Sequence, residues 1–264
     1  MTNTEPLILV TNDDGITAPG IRNLVAIARK YGKVVVVAPD KPQSGQGHAI
    51  TLNVPLRLKK VDIFEGIDAY ECSGTPVDCV KLAKNVILKN QKIDLCVSGI
   101  NHGSNAGINI LYSGTMSAAM EASIEGIDSI GFSLLDFSWD ADFSEAVPFV
   151  DSIVKNVLEQ GLKECKLLNV NIPAKSETPI RGIKVCAQAE ATWEEDFEEK
   201  EDPYGRKYYW LTGHFVNNDS RNNIDVVHLK NNYISVVPSG HDLTIYEALK
   251  EQDYLELSSV EYGA

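Results

Sequence analysis

Asp13 and Asp14 are adjacent carboxylates at the end of an apolar run, LILVTNDDG, Leu7–Gly15. Paired acids supply hard anionic oxygens, the donors that suit Mg²⁺, Mn²⁺ or Ca²⁺. Ser44 in DKPQSGQG and Asn101 in VSGINHG add neutral oxygens. Two anionic and two neutral ligands leave room for water and one phosphoryl oxygen. A cation held this way lowers the pKa of water and offsets charge on phosphorus. Gly74-Thr75 and Ser113-Gly114-Thr115 precede two helical patterns. Bare N–H groups at such starts form natural phosphate sites. Each feature also has an ordinary reading: a turn, a loop serine, a helix cap. His48 and His102 stand in the same loops, where a structural role is as open as a chemical one. Their coincidence on one rim is what points to a site.

The elements must create that rim. Leu7–Thr11 is short, apolar and β-branched, as in a strand buried on both faces. Neighbouring side chains on a strand point opposite ways, so both acids can serve one site only if the chain turns there, which Gly15 permits. Pro19-Gly20 opens a helix over Ile21–Tyr31, and Lys33–Pro39 (KVVVVAP) is a second buried strand, giving a right-handed βαβ unit. Ala49–Lys60 reads as an edge strand or excursion, Val77–Leu88 as a helix and Ile93–Ser98 as a strand. A long glycine-rich loop, Gly99–Ser113, follows, and loops of that length are usually functional. Helix Gly114–Ile124, strand Ser129–Leu135, helix Phe143–Gln160 and strand Leu167–Ile172 complete a Rossmann-like α/β core with a mostly parallel sheet over residues 1–173. Residues 174–264 change character. Ile183–Glu190, Lys207–Leu211 and Asn231–Val237 are extended, Asp202–Arg206 is a turn, and the acidic run between the first two is a solvated face. A last helix spans Leu243–Tyr254 with Asp242 as its N-cap, so this region is expected to be a β-rich arm and helix used in self-association.

Composition narrows the function. The 264 residues carry a net charge of −13, which argues against a broad surface for a nucleic-acid polymer but permits a small phosphorylated substrate held through a cation. No run suits a membrane span, and MTNTEPLILV lacks a basic region followed by a signal-like core. The five cysteines form no CxxC pair and sit mostly in apolar patterns, so buried free thiols and a cytoplasmic location are expected. The first βα turn is NDDGITAPG rather than GxGxxG, and no GxxxxGK[ST] occurs, which disfavours dinucleotide and P-loop readings. A receiver-type signalling domain would need a lysine after the fifth strand, where LLNVNIP has none.

LILVTNDDGITAPGI, APDKPQSGQGHAIT, CSGTPVDCV, VSGINHGSNAG and YSGTMSAAMEA, followed by DPYGRKYYWLTG and ISVVPSGHDLT, resemble the successive motifs of the SurE family across nearly the whole chain. The resemblance implies a divalent-metal-dependent phosphatase acting on nucleoside 5′-monophosphates, with 3′-nucleotides and short polyphosphate as further substrates. It implies one Mg²⁺ or Mn²⁺ per subunit, held by Asp13, Asp14, Ser44 and Asn101. Phosphate contacts would fall on Gly45, Gly74, Thr75, Asn101, Ser113, Gly114 and Thr115, and Asp13 would orient or deprotonate the attacking water. It also implies a homodimer or homotetramer that exchanges C-terminal elements. Gly47 departs from the family, many members of which carry a small polar residue there. A nucleotide-binding sensor on the same fold is the non-catalytic alternative.

Overall fold

The computed structural model describes residues 5–256. β1 (Leu7–Thr11) is buried along its length and leads through a turn into α1 (Pro19–Ala28) and β2 (Lys33–Pro39). β3 (Leu58–Val61), β4 (Asp68–Cys72), α2 (Pro76–Leu82), β5 (Leu95–His102), α3 (Gly114–Ile124), β6 (Ser129–Leu134), α4 (Val147–Gln160) and β7 (Leu167–Ile172) follow. The rest comprises β8 (Ile183–Val185), β9 (Ala191–Glu201), β10 (Lys207–Asn217), α5 (Asp225–Lys230) and β11 (Ile234–Ser239).

One sheet of nine strands runs β3-β4-β2-β1-β5-β6-β7-β11-β8. Its centre is parallel, while β3 on β4 and β11 on β7 are antiparallel. Alternation along β1 divides the core. Ile8 and Val10 join Leu24 of α1 and Val150 of α4 on one face, while Leu7 and Leu9 join Val80 of α2 and Ala118 of α3 on the other. The result is a three-layer, doubly wound α/β arrangement with the mostly parallel sheet expected of a Rossmann-like core. The chain leaves β1 toward β2 on one side and later returns to β5 on the other. The carboxyl ends of β1 and β5 therefore flank a topological switch point, where open α/β sheets hold ligands.

Several expectations need correction. Ala49–Lys60 divides between its two expected readings, an excursion that enters the edge strand β3 only from Leu58. β4 was not anticipated, because DAYEC is half-exposed and lacks a run of β-branched residues. The Val77–Leu88 helix is α2 plus a wider π-helical turn over Ala83–Ile87. β5 continues past Ser98 to His102, with a register shift against β6 between Ser98 and Asn101, so Asn101 stands on a distorted strand end rather than in a loop. The acidic run is solvated but is itself a strand. β9 pairs with β10 from Ala191↔Asn217 to Glu201↔Lys207, setting Glu198 opposite Trp210 and Glu199 opposite Tyr209. Asp202–Arg206 closes this hairpin as expected, with Asp202 N–H donating to Arg206 O (3.0 Å). α5 was missed. The last helix is a 3₁₀ segment, Tyr246–Leu255, and Asp242 accepts from Thr244 N–H (2.9 Å) without capping it. The expected helix start at Leu243 falls outside that segment.

Candidate active site

Asn12, Asp13 and Asp14 leave β1 in a turn closed by Gly15 at φ +96° and by Asn12 Nδ2 donating to Gly15 O (2.9 Å). Asp13 is buried and points to the start of α3. Thr115 Oγ1 donates to Asp13 Oδ1, and the Thr115 backbone N–H supports the same carboxylate. Burial, reinforced by the Asp14 charge, nevertheless pushes the Asp13 carboxyl up to about 6. Burial also raises Asp14, against the N–H of His102, which donates to Asp14 Oδ2 (3.2 Å). The bent end of β5 thus ties Asp14 beside Asn101.

The loop after β2 is fastened on both sides of Ser44. Gln43 N–H donates to Asp13 O (2.8 Å), and Gly47 N–H donates to Tyr112 O (3.1 Å). Farther along, His48 Nε2 meets Glu121 Oε2 of α3 at 2.9 Å, and Lys81 Nζ pairs with the other oxygen of this buried carboxylate. Burial would raise Glu121, but these two partners hold it below the ordinary carboxylate range. Thr75 and Asp78 form a reciprocal capping box at α2. Thr75 Oγ1 also donates to Ala49 O (2.7 Å), while Asp78 Oδ1 accepts from Thr51 N–H (3.2 Å).

Asp13, Ser44, Gly45, Asn101 and Ser113 line one cleft of about 340 Å³. Gly114 lies directly beneath, where a Cβ would come 2.7 Å from that of Asp13. Gly74 and Thr75 are not in the lining. They pack under the loop instead, and a Cβ on Gly74 would come 2.5 Å from Asp78 Oδ2. Thr115 spends its hydroxyl on Asp13, so it supports the acid rather than offering that group to a phosphate.

The donor set fits a hard divalent cation. Asn12 Oδ1 is buried beside the acids with no hydrogen-bond partner, and Thr11 Oγ1 at the end of β1 and Ser98 Oγ on the β5 residue paired with it are likewise unpartnered. Among the described residues no group of three or more His, Cys, Asp or Glu could hold a metal. A cation at the acid pair would therefore be completed by amide and hydroxyl oxygens and water, as suits Mg²⁺ or Mn²⁺.

The remaining lining was harder to foresee. His102 places Nδ1 2.7 Å from Ser138 O, stacks on Trp139 with centroids 5.8 Å apart, and buries an unpartnered Nε2. Asn105 N–H donates to Asn171 Oδ1 (2.8 Å), Asn105 Nδ2 to Ser133 Oγ (2.8 Å), and Asn169 Nδ2 to Asn105 O (2.8 Å). This buried amide ladder props the loop after β5, and a lost partner would cost about 1–3 kcal/mol. Two asparagines spaced by two in LLNVNI share one strand face, a signal that could have revealed it. Asp225 of α5 accepts from Gly107 N–H (2.9 Å) and Ala189 N–H (3.0 Å), joining that loop to the root of the β9–β10 arm.

Fold and site together define a doubly wound α/β protein with an acid, amide and hydroxyl centre at its switch point. A family model described as "Survival protein SurE" matches residues 8–195. The chain is 56% identical over 256 residues to "5'-nucleotidase SurE" of Flavobacterium psychrophilum, covering 97% of this chain and 99% of that protein. It is 43% identical over 258 residues to the protein of the same name from Bacteroides fragilis, covering 97% and 100%. Among solved structures, the SurE protein from Aquifex aeolicus superposes with a TM-score of 0.82 at 42% identity, covering 95% of this chain and 99% of that one. The chain belongs to the SurE family.

Proposed function

We propose that the protein is a divalent-metal-dependent 5′-nucleotidase, releasing phosphate from nucleoside 5′-monophosphates. 3′-Monophosphates and short polyphosphate are further substrates to test. The observation that carries this reading is the convergence of Asp13, Ser44, Asn101 and Ser113 on one cleft, in a chain whose relatives are named 5′-nucleotidases. Asp13, Asp14, Ser44 and Asn101 would hold one Mg²⁺ or Mn²⁺, which when bound supplies an acidified water and neutralises phosphoryl charge. Ser113, Gly45 and the N-terminus of α3 orient the phosphate, and the positive end of the helix favours its charge. Asp13 orients the attacking water with one carboxylate oxygen while Thr115 fixes the other. As the water oxygen bonds to phosphorus, the bond to the nucleoside oxygen breaks on the opposite side, and a proton given up by the water ends on that oxygen, leaving nucleoside and phosphate.

The arm and the last segment fit exchange between copies in a homodimer or homotetramer. β9–β10 exposes Phe197, Trp210 and Leu211, and Tyr246–Leu255 buries none of its residues. Among the described residues no helix is long and apolar enough to cross a membrane.

The test is phosphate release from nucleoside 5′- and 3′-monophosphates and polyphosphate, with EDTA and with added Mg²⁺ or Mn²⁺. Metal-dependent release that disappears in Asp14→Asn supports the proposal. Nucleotide binding without release under any metal would replace the enzyme with a sensor.

A further inference from the structure

Away from the cleft, one buried carboxylate ties three elements together. Glu121 lies on α3 about two turns beyond Gly114, and its side chain is only 4% exposed. An ionised carboxylate buried this far needs partners. It has two, from different elements: Lys81 of α2 on Oε1 and His48 of the loop after β2 on Oε2. A carboxylate only accepts, so His48 Nε2 carries the proton of the 2.9 Å bond. The two helices have other support, since Val80 of α2 shares an apolar cluster with Ala118 of α3 and Lys84 pairs with Glu125 one turn farther on. The loop does not. It forms no regular structure between β2 and β3, and its apolar residues Ile50, Leu52 and Val54 are exposed. Gly45 at φ +71° and Gly47 at φ +55° stand between Ser44 and His48, and glycine has the most backbone freedom to lose on ordering. The other ties of this stretch use its backbone, at Gln43, Gly47, Ala49 and Thr51. His48 supplies the one side-chain hydrogen bond of residues 41–56 among the described residues.

We propose that His48 is a positioning residue for the cation site: through Glu121 it anchors the Ser44 turn to α3, so that the serine hydroxyl is in place before a metal arrives. This role rests on the metal-dependent nucleotidase reading and adds what preorganises one of the four proposed ligands. Ser44 is itself exposed, so its place in the cleft wall is set by its neighbours along the chain. Gln43 N–H fixes the stretch on one side of it and the His48 bond on the other. One helix thereby registers two of the ligands. Thr115 at the start of α3 holds Asp13, and Glu121 farther along holds the loop that bears Ser44. Losing the His48 bond adds the ordering of this turn to the work of metal binding, which weakens affinity. A loaded site has already ordered the turn, so the chemical step is left as it was.

The test is calorimetric Mn²⁺ binding to the full-length protein without substrate, run beside phosphate release from AMP across a Mn²⁺ titration. His48→Ala is expected to weaken Mn²⁺ binding about five-fold, the scale of one hydrogen bond to a charged group, and to raise the half-maximal Mn²⁺ for turnover by the same factor. At saturating Mn²⁺ its kcat should match the wild type, and its melting point in EDTA should stay in place. His48→Gln, which keeps a donor within reach of Glu121, should retain most of the affinity. Glu121→Gln should weaken binding as His48→Ala does, and adding His48→Ala to it should change little further. Unchanged Mn²⁺ affinity in His48→Ala overturns the inference, and so does a His48→Gln variant no better than His48→Ala. A kcat that stays low at saturating Mn²⁺, together with a lower melting point, would mark a purely structural role and overturn it as well. A second full loss on adding His48→Ala to Glu121→Gln would show that His48 does not act through Glu121. A wild type that binds Mn²⁺ but releases no phosphate overturns the nucleotidase reading alone, because the affinity comparison still decides the role of His48.

Discussion

Two helices begin side by side at the carboxyl edge of the sheet, α2 after Gly74-Thr75 and α3 after Ser113. A Cβ on Gly114 would lie 3.2 Å from the Pro76 ring. Both starts combine a glycine with a hydroxyl cap: Thr75 Oγ1 accepts from Asp78 N–H and Ser113 Oγ from Met116 N–H. Both present the positive end of a helix at that edge. Their contacts nevertheless differ. α2 spends its cap on the loop after β2, through Ala49 and Thr51, whereas α3 lies against Asp13 and opens to the cleft. A cap-and-glycine pattern therefore marks a helix start without assigning its task, which depends on what occupies the space in front of it. In front of α2 that is the protein's own loop.

The comparison breaks most sharply at Asp13. Asp13→Asn should reduce metal-dependent phosphate release on the order of 10³-fold, since in the proposed site a neutral amide would replace an anionic ligand. The same change should stabilise the metal-free protein. A carboxyl raised in the fold contributes full stability below its ordinary value of 3.8 and loses it as pH rises toward about 6. At pH 7 the metal-free variant should melt above the wild type, an order revealed by calorimetry in EDTA. A lower melting point would show that Asp13 is held in the fold chiefly by favourable contacts.

Next in size is the paired substitution of the two glycines. Gly114→Ala would push a methyl into Asp13 and should lower kcat about 10²-fold, the scale expected for displacing a reacting group by a fraction of an ångström to an ångström. Gly74→Ala would crowd Asp78 and Leu56 and should cost about 1–3 kcal/mol of stability, with a far smaller effect on kcat. Urea unfolding and steady-state kinetics on both variants separate the outcomes. Equal losses of kcat would mean that α2 touches substrate after all.

How much of this was legible depended on whether a signal was local. β1, β2, β6 and β7 declare themselves as apolar runs, and the acid pair after β1 points to the switch point once the sheet is parallel. Asn101 lines the cleft, but its setting was misread as a loop, because β5 runs on past Ser98 through a register shift against β6 that residues 99–101 alone do not announce. Thr75 stands outside the cleft lining with its hydroxyl on Ala49, and a partner 26 residues away leaves no local signal. The acidic strand β9 has no hydrophobic alternation and exists through pairing with β10. The members of the His48–Glu121–Lys81 cluster and of the Asn105–Asn171 ladder meet only after distant segments converge, so spacing along the chain could not group them.

A subtler probe of α3 is pH. Below about 6 the Asp13 carboxyl takes up a proton in the metal-free protein, so apparent Mg²⁺ or Mn²⁺ affinity should fall about ten-fold per unit as pH drops through that value. Thr115→Val removes the hydroxyl that favours the ionised form. The fall should then begin at a higher pH, while Thr75→Val leaves it in place. Metal titration by calorimetry from pH 5 to 8 measures both. Identical profiles for wild type and Thr115→Val would remove Thr115 from the support of Asp13.

The smallest effects belong to the caps, where the two helices should match in stability and part in function. Thr75→Ala and Ser113→Ala each lose a side-chain acceptor for a first-turn N–H, at about 1 kcal/mol apiece. Thr75→Ala also releases Ala49 O, so the loop carrying Ser44 loosens and the metal concentration needed for half-maximal rate should rise. Saturating metal should restore kcat. Ser113 lines the cleft, so Ser113→Ala should raise the KM for AMP even at saturating metal. If metal rescues both variants alike, Ser113 is a cap and nothing more, and α3 contributes to the site through Gly114 and Thr115 alone.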